Sequence, residues 1–340
     1  MKSGPVVSSN FLERIADPAS RFHPDYLSYR NGEITKQQLV ARLPHVAMLG
    51  DSSCMGIYVS SPWSTFWLAH TRRGRNWFFD AGSPRVSIRS ISKRLEDITP
   101  FVATEYAGIG AMVDDESSRL NFFRRILGTR NLSGQIAQLL RAPRFPDLIL
   151  ISIGHNNVDW AWRCPPNELN APEQRLIRQS KEFRQNYARE LRQLLGHAGT
   201  EKHRVAVVVF GLINFESYFK GRELAERLRK SDRRLYPHLE TTYKYLVSFR
   251  PAYRCNLFRL ASMVNEELRA MVEGLNCELP ENVQLRYSHA LATADLSRAE
   301  LLHPIDGWHA SAEGHNVLAE AAFSDLGPTL EFLGINRPPD

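Results

Sequence analysis

The sequence predicts an α/β fold, a three-layer α/β/α sandwich around a mainly parallel, five-stranded sheet. Three observations predict it. Apolar segments of strand length recur at 45–49, 101–105, 148–153, 205–210 and 283–287, and most are rich in Val, Ile or Leu, as strands buried on both faces are. Amphipathic stretches at about 173–197, 259–275 and 311–326 alternate with the later strands, as helices joining parallel strands do. No internal repeat and no Ser/Gly-rich linker interrupts the series, so residues 44–330 are expected to fold as one domain.

In chain order, residues 1–43 are polar and carry Pro5, Pro18 and Pro24; they are expected to form a loop-like extension that wraps the domain. After the 45–49 strand, residues 53–100 exceed an ordinary connection and read as an insertion. The 101–105 strand follows, and Leu148-Ile-Leu-Ile-Ser-Ile153 is a continuous buried strand. The helix at about 173–197 opens after Pro172, spaces Leu176, Ile177, Phe183, Tyr187, Leu191, Leu194 and Leu195 along one stripe, and stops at Gly196. A second insertion, 212–255, follows the 205–210 strand. The 259–275 helix, the 283–287 strand and the 311–326 helix complete the domain, leaving 331–340 as a tail.

The 340 residues are 43% hydrophobic and 24% charged, with 20 Gly and 19 Pro, which fits a globular chain and argues against disorder, collagen and coiled coil. The net charge of +6 permits an anionic ligand without naming one. The densest basic stretch, 222–234, also holds Glu223, Glu226 and Asp232 and lacks interleaved aromatics, so it reads as a solvated helix face, and no nucleic-acid partner is expected. Cys54, Cys164, Cys255 and Cys277 form no CxxC pair and no metal-like spacing; neither a metal nor another cofactor is expected, and disulfides stay open. The first residues hold no apolar signal core and the longest apolar runs are only strand-length. The expectation is a soluble cytoplasmic protein, with a secreted form open if a leader has been removed.

Three segments carry chemistry. The first, Val46-Ala-Met-Leu-Gly50-Asp51-Ser52, is a strand ending in Gly-Asp-Ser. A strand that stops at glycine delivers the next residues to the carboxyl edge of the sheet, where open α/β folds bind ligands. Ser52 is therefore a candidate nucleophile whose own N–H could help hold an oxyanion. The second segment ends Ile153-Gly154-His155-Asn156-Asn157, placing side-chain amides at a second strand end where they can donate to a developing negative oxygen. The third is His303-Pro-Ile-Asp306-Gly-Trp-His309; an Asp three residues before a His can hold Nδ1 of the imidazole and leave Nε2 to take a proton from serine. Taken singly, each has a plain alternative as an ordinary turn.

Their conjunction and order resemble the SGNH or GDSL hydrolase superfamily, over roughly residues 44–326. The resemblance implies Ser52 as nucleophile, His309 as general base and Asp306 as its orienting carboxylate, with no metal required. It implies an oxyanion hole made by the Ser52 N–H, the Asn156 amide and a glycine N–H from Glu105-Tyr-Ala-Gly108-Ile-Gly110-Ala111, where Gly110 fits best and Gly108 is its rival. Two departures stand out: the Asn expected before that glycine is missing, and the family's Gly-x-Asn-Asp reads Gly154-His-Asn156-Asn157 here. The opening Leu-Gly-Asp-Ser-Ser with Trp63 soon after, Tyr236-Pro-His-Leu, Thr242-Tyr-Lys-Tyr-Leu246 with Cys255, and Pro304-Ile-Asp-Gly-Trp-His309 look like the catalytic part of acyloxyacyl hydrolase. The long spacing between the first two blocks resembles phospholipase B-type GDSL lipases. Residues 1–43 hold no counterpart of the saposin-like and calcium-binding segments of acyloxyacyl hydrolase.

The expected activity is hydrolysis of a fatty-acyl ester of a lipid or glycolipid through an acyl-enzyme, with contact to an anionic membrane or glycolipid compatible with the charge. The alternatives are a carbohydrate O-acetyl esterase or acyltransferase, and a catalytically silent lipid- or glycan-binding protein. Candidate substrate contacts are Trp63, with Phe66, Trp67 and Leu68 nearby, and Trp160 and Trp162; core packing explains the Trp63 group equally well. His155 is a further candidate contact, with a solvent-exposed turn residue as its alternative. Cys54 is expected to pack, His303 to brace the Asp306 loop, and His315 to face away from the site.

Overall fold

The apolar segments pair into one sheet. The computed structural model describes residues 6–8, 10–54, 76–78, 88–114, 130–159, 173–236, 254–303 and 309–335. Six strands, β1 (Val6–Val7), β2 (His45–Gly50), β3 (Val102–Glu105), β4 (Leu148–Ser152), β5 (Val205–Phe210) and β6 (Val283–Ser288), lie in the order β1-β3-β2-β4-β5-β6. Strands β2 to β6 are mutually parallel, matching the five expected. The sixth, β1, is antiparallel to β3 and was not anticipated. Every residue of β2, β4 and β5 is buried, which requires cover on both faces of the sheet.

That cover comes from the helices. Helices α1 (Phe11–Ala16), α2 (His23–Arg30) and α3 (Lys36–Val40) precede β2, and α4 (Ile91–Glu96) precedes β3. Helices α5 (Leu132–Leu139), α6 (His155–Asp159), α7 (Glu173–Ala198), α8 (Phe215–Ser231) and α9 (Arg254–Asn276) flank β4 and β5. After β6 come α10 (Ala290–Thr293), α11 (Ala312–Ser324) and α12 (Gly327–Phe332). Helix α7 packs on α5 and α9, while α4 packs on α11. The stripe on α7 is buried at Leu176, Phe183, Tyr187, Leu191, Leu194 and Leu195, but Ile177 faces out, and the helix runs through Gly196 to end at Ala198. Gly196 meets no neighbour that would force a stop; Gly199 N–H instead closes on the Leu195 carbonyl.

The N-terminal stretch differs from the loop that its polarity suggested. Phe11, Ile15, Phe22, Leu39 and Leu43 build a small core of their own against Val102 of β3. Thr35 and Gln38 form a reciprocal capping box on α3, and Pro24 sits in the first turn of α2, where a missing N–H costs nothing. The second expected insertion begins as α8, whose Arg222 pairs with Glu226 and Lys220 with Glu216. Glu223, Arg227 and Lys230 are exposed, as expected of a solvated face, but Arg222 is buried against the domain. On the outer edge of β6 the Leu285 N–H is taken within the chain, donating to Asn276 Oδ1 at 3.1 Å.

Candidate active site

Register sets the site. Gly50 of β2 lies opposite Ser152 of β4, so the residues that follow both strands emerge side by side at one edge of the sheet. Gly50 is required there: a Cβ would lie 2.7 Å from the Ser152 carbonyl and 2.5 Å from Cys54 Sγ. Its N–H and C=O are both held by the buried side chain of Gln135 on α5, each at 2.8 Å. Beyond it, the Asp51 N–H reaches the Ser152 carbonyl at 3.3 Å, and Asp51 Oδ1 accepts the Ser53 N–H at 2.9 Å. These bonds turn the chain into a short 3-10 segment, Ser52–Cys54, with Ser52 at its first position and 8% exposed. Cys54 packs inside, and burial, together with the charge of Asp51, pushes its thiol well above the usual range, so it is no competing nucleophile.

Asp51 is 1% exposed and carries the second arm of the site. Its Oδ2 accepts from His155 Nδ1 at 3.0 Å, while the Ile213 N–H, just after β5, donates to His155 Nε2 at 3.2 Å. With Nε2 as the acceptor, the ring hydrogen that faces Asp51 is on Nδ1. Burial pushes the Asp51 carboxyl up, yet His155 and the two bonds from Ser53 outweigh it and hold the group below the usual carboxylate range. His155 is thus 4% exposed with both nitrogens engaged inside the protein. It is neither the exposed turn residue nor a side chain with a ring nitrogen to offer a substrate.

The amide side of the site is built from two loops. Gly154 has φ +127 and a Cβ there would lie 2.8 Å from the Phe183 ring, so only glycine turns the chain out of β4. Asn156, in the first turn of α6, donates from Nδ2 to the Ala111 carbonyl at 3.0 Å. Asn157 accepts the Val113 N–H at 3.0 Å and donates to Asp114 Oδ2 at 3.2 Å, so the carboxylate absent at position 157 is present at 114. In the facing loop the Gly108 N–H is taken by the Gly50 carbonyl at 3.0 Å, while Gly110 adopts φ +66 and turns the backbone. Of the two candidate glycines, only Gly110 has its N–H uncommitted among the described residues.

His309 arrives from the far end of the chain. A bridge between Leu302 and Ala310, the His303 N–H on the His309 carbonyl at 2.9 Å, and the Ser311 cap of α11 fix its backbone. Ser52, Asn156 and His309 line one cleft, together with Ile213, Tyr218 and Leu318. His315 lines it too, contrary to expectation: its Nδ1 accepts the Trp77 N–H at 3.2 Å, and burial, with His309 and His303 nearby, pushes its pKa down to about 3. Asp306, Trp63, Trp160 and Trp162 lie outside the described residues, as do Phe66, Trp67 and Leu68. A larger groove, of about 940 Å³, runs between α9 and β6 and shares Ile213 with the cleft. Among the described residues no cluster of His, Cys, Asp or Glu is placed to hold a metal, and no helix is long and apolar enough to cross a membrane.

The sequence pointed to Ser52, Asn156, Gly110 and His309, each beside a strand end, a turn or a helix start. It did not point to the Asp51–His155 pair or to His315 as a cleft residue, because both depend on register and packing. Residues 46–322 match the family described as GDSL-like Lipase/Acylhydrolase. No curated protein matches the chain. Among solved structures it is similar to the lipase Lip_vut3 from a goat rumen metagenome, at 15% identity over 86% of this chain and 99% of that one, TM-score 0.44. It is also similar to the inhibitor-bound aryl esterase of M. smegmatis, at 11% identity, 83% and 98% coverage and TM-score 0.44. Phospholipase A1 from Streptomyces albidoflavus NA297 is matched at 13% identity, 83% and 98% coverage and TM-score 0.42.

Proposed function

Because this chain belongs to the GDSL-like lipase/acylhydrolase family and is a carboxylic ester hydrolase, we propose that it cleaves a fatty-acyl ester of a lipid or glycolipid through an acyl-enzyme on Ser52. The observation that carries the reading is the meeting of Ser52, Asn156 and His309, which are far apart in sequence, in one cleft. His309 takes the Ser52 proton as Oγ attacks the ester carbonyl, and Asp306 steadies the imidazolium. The negative oxygen is held by the N–H groups of Ser52 and Gly110 and by Asn156. The Asn156 amide has two hydrogens, and the one not bonded to Ala111 remains for the oxyanion. His309 then returns its proton to the leaving alcohol, and water repeats the attack to release the acid.

Ile213, Tyr218, Leu296 and Leu318 give the cleft, of about 40 Å³, an apolar wall that suits the first carbons of an acyl group beside the carbonyl. The resemblance of 304–309 and 236–246 to acyloxyacyl hydrolase supports the fatty-acyl preference. Trp63, Trp160 and Trp162 are proposed to extend that wall, and the net charge of +6 suits an anionic lipid surface. A p-nitrophenyl ester series from acetyl to palmitoyl tests the reading, alongside labelling by a fluorophosphonate probe. Activity rising with chain length and stoichiometric labelling that vanishes in Ser52→Ala are expected. Activity confined to acetyl esters would replace the lipid substrate with an acetylated carbohydrate, and no labelling at all would leave a binding protein.

A further inference from the structure

We propose that His155 is a positioning residue that sets the nucleophile turn against the oxyanion amide. The inference rests on Ser52 being the nucleophile.

The argument starts from Asp51. Its carboxylate lies under the Ser52 turn, nearly sealed from solvent, and its two oxygens are divided: Oδ1 takes the Ser53 N–H at 2.9 Å and Oδ2 takes His155 Nδ1 at 3.0 Å. Among the described residues His155 is the only basic side chain paired with it. Without that donor Asp51 would keep only its bonds from Ser53 and leave Oδ2 buried and unmet, and the turn would have to shift to find water or another partner. The orientation of Ser52 therefore depends on where the imidazole stands.

The imidazole is itself fixed. His155 immediately precedes Asn156 in the first turn of α6, so the ring that holds the nucleophile turn belongs to the same turn of chain as the oxyanion amide. Its Nε2 accepts the Ile213 N–H at 3.2 Å, and Ile213 walls the cleft. One side chain thus joins the loops that follow β2, β4 and β5. With both nitrogens committed, His155 neither accepts the serine proton nor touches substrate through them. Its work is geometric, and misplacement of reacting groups by about 1 Å can lower turnover by about a hundredfold.

Two substitutions separate the two bonds. In His155→Asn the amide Nδ2 falls near the site of Nδ1 and keeps a donor for Asp51 while giving up Ile213. In His155→Gln the longer Oε1 reaches the site of Nε2 and keeps an acceptor for Ile213 while giving up Asp51. The Asn variant is expected to hold kcat within about threefold. The Gln variant is expected to lose about 10- to 100-fold in kcat, with KM within about twofold and a matching slowing of fluorophosphonate labelling. Wild-type kcat in His155→Gln, or equal losses in both variants, would overturn the proposal. A measurement that needs no variant runs beside it: ring-nitrogen NMR shifts of the wild-type protein should place the His155 proton on Nδ1, and a proton on Nε2 would overturn it too. Absence of Ser52 labelling in the wild-type protein defeats the nucleophile and the positioning role together, whereas normal wild-type labelling with an unaltered rate in His155→Gln defeats the role of His155 alone.

Discussion

A single amide illustrates how finely the site is set at the residue scale. Asn156 uses one N–H to hold the Ala111 carbonyl and, in the proposed mechanism, the other to meet the oxyanion. Removing it takes away a preorganised donor aimed at charge that develops only in the transition state. Asn156→Ala should therefore keep KM and lower kcat by about 10²- to 10³-fold, near 3 kcal/mol, in steady-state assays with a p-nitrophenyl ester. Turnover close to wild type would remove Asn156 from the oxyanion hole. Ser52, Asn156 and His309 were legible because each follows a local signal: a glycine ending an apolar strand, or an Asp-x-x-His before a helix. The pairing of Asp51 with His155 carries no such signal. It spans 104 positions and exists because Gly50 and Ser152 are opposite one another, a register that the two strand sequences do not state. The sequence already favoured Gly110 over Gly108, but the structural ground for it, the Gly108 N–H reaching the Gly50 carbonyl, was hidden for the same reason.

Elements communicate with the site through backbone groups. The clearest case is α5, whose Gln135 accepts the Gly50 N–H and donates to the Gly50 carbonyl, closing the end of β2 from the side. Gln135→Leu keeps most of the volume but strands the Gly50 N–H in a buried place and leaves the Gly50 carbonyl only the Gly108 N–H. It should destabilise the fold by about 1–3 kcal/mol in urea denaturation and reduce the rate of Ser52 labelling, because the turn carrying Ser52 loses its anchor. A variant with unchanged stability would show that water replaces the amide. Strand elements were readable because β2, β4 and β5 bury apolar residues in runs too short for helices, and β6 alternates buried Val283 and Leu285 with Gln284 and Arg286. The short N-terminal helices were not readable. Each is only a turn or two long, and their apolar residues become a core only when gathered against Val102. The Thr35–Gln38 capping box was written in the sequence but stood amid polar residues that gave no helical stripe.

For the whole molecule, two buried imidazoles add to the loss of stability in acid. Burial holds His315 down to about 3 and His45 down to about 4, the latter with Arg144 adding to the effect. Both stay neutral in the folded chain and bind protons near pH 6.5 once unfolded, so the unfolded state takes up more protons as pH falls. The stability they contribute is whole above pH 6.5 and is lost as pH drops toward 4 and then 3. Thermal unfolding midpoints should fall across that window, and the fall should be shallower in His315→Gln; a flat profile from pH 6.5 to 4 would contradict the buried neutral state. The borders of the sheet have a consequence of another kind. An open strand edge is a template on which a second chain can add a strand and begin an aggregate. Here β3 is covered by the two-residue β1, itself too short to extend, and on the opposite border Asn276 occupies the Leu285 N–H of β6. Among the described residues the Val283 N–H is also taken, by the Pro280 carbonyl, so strand addition at these two borders is disfavoured.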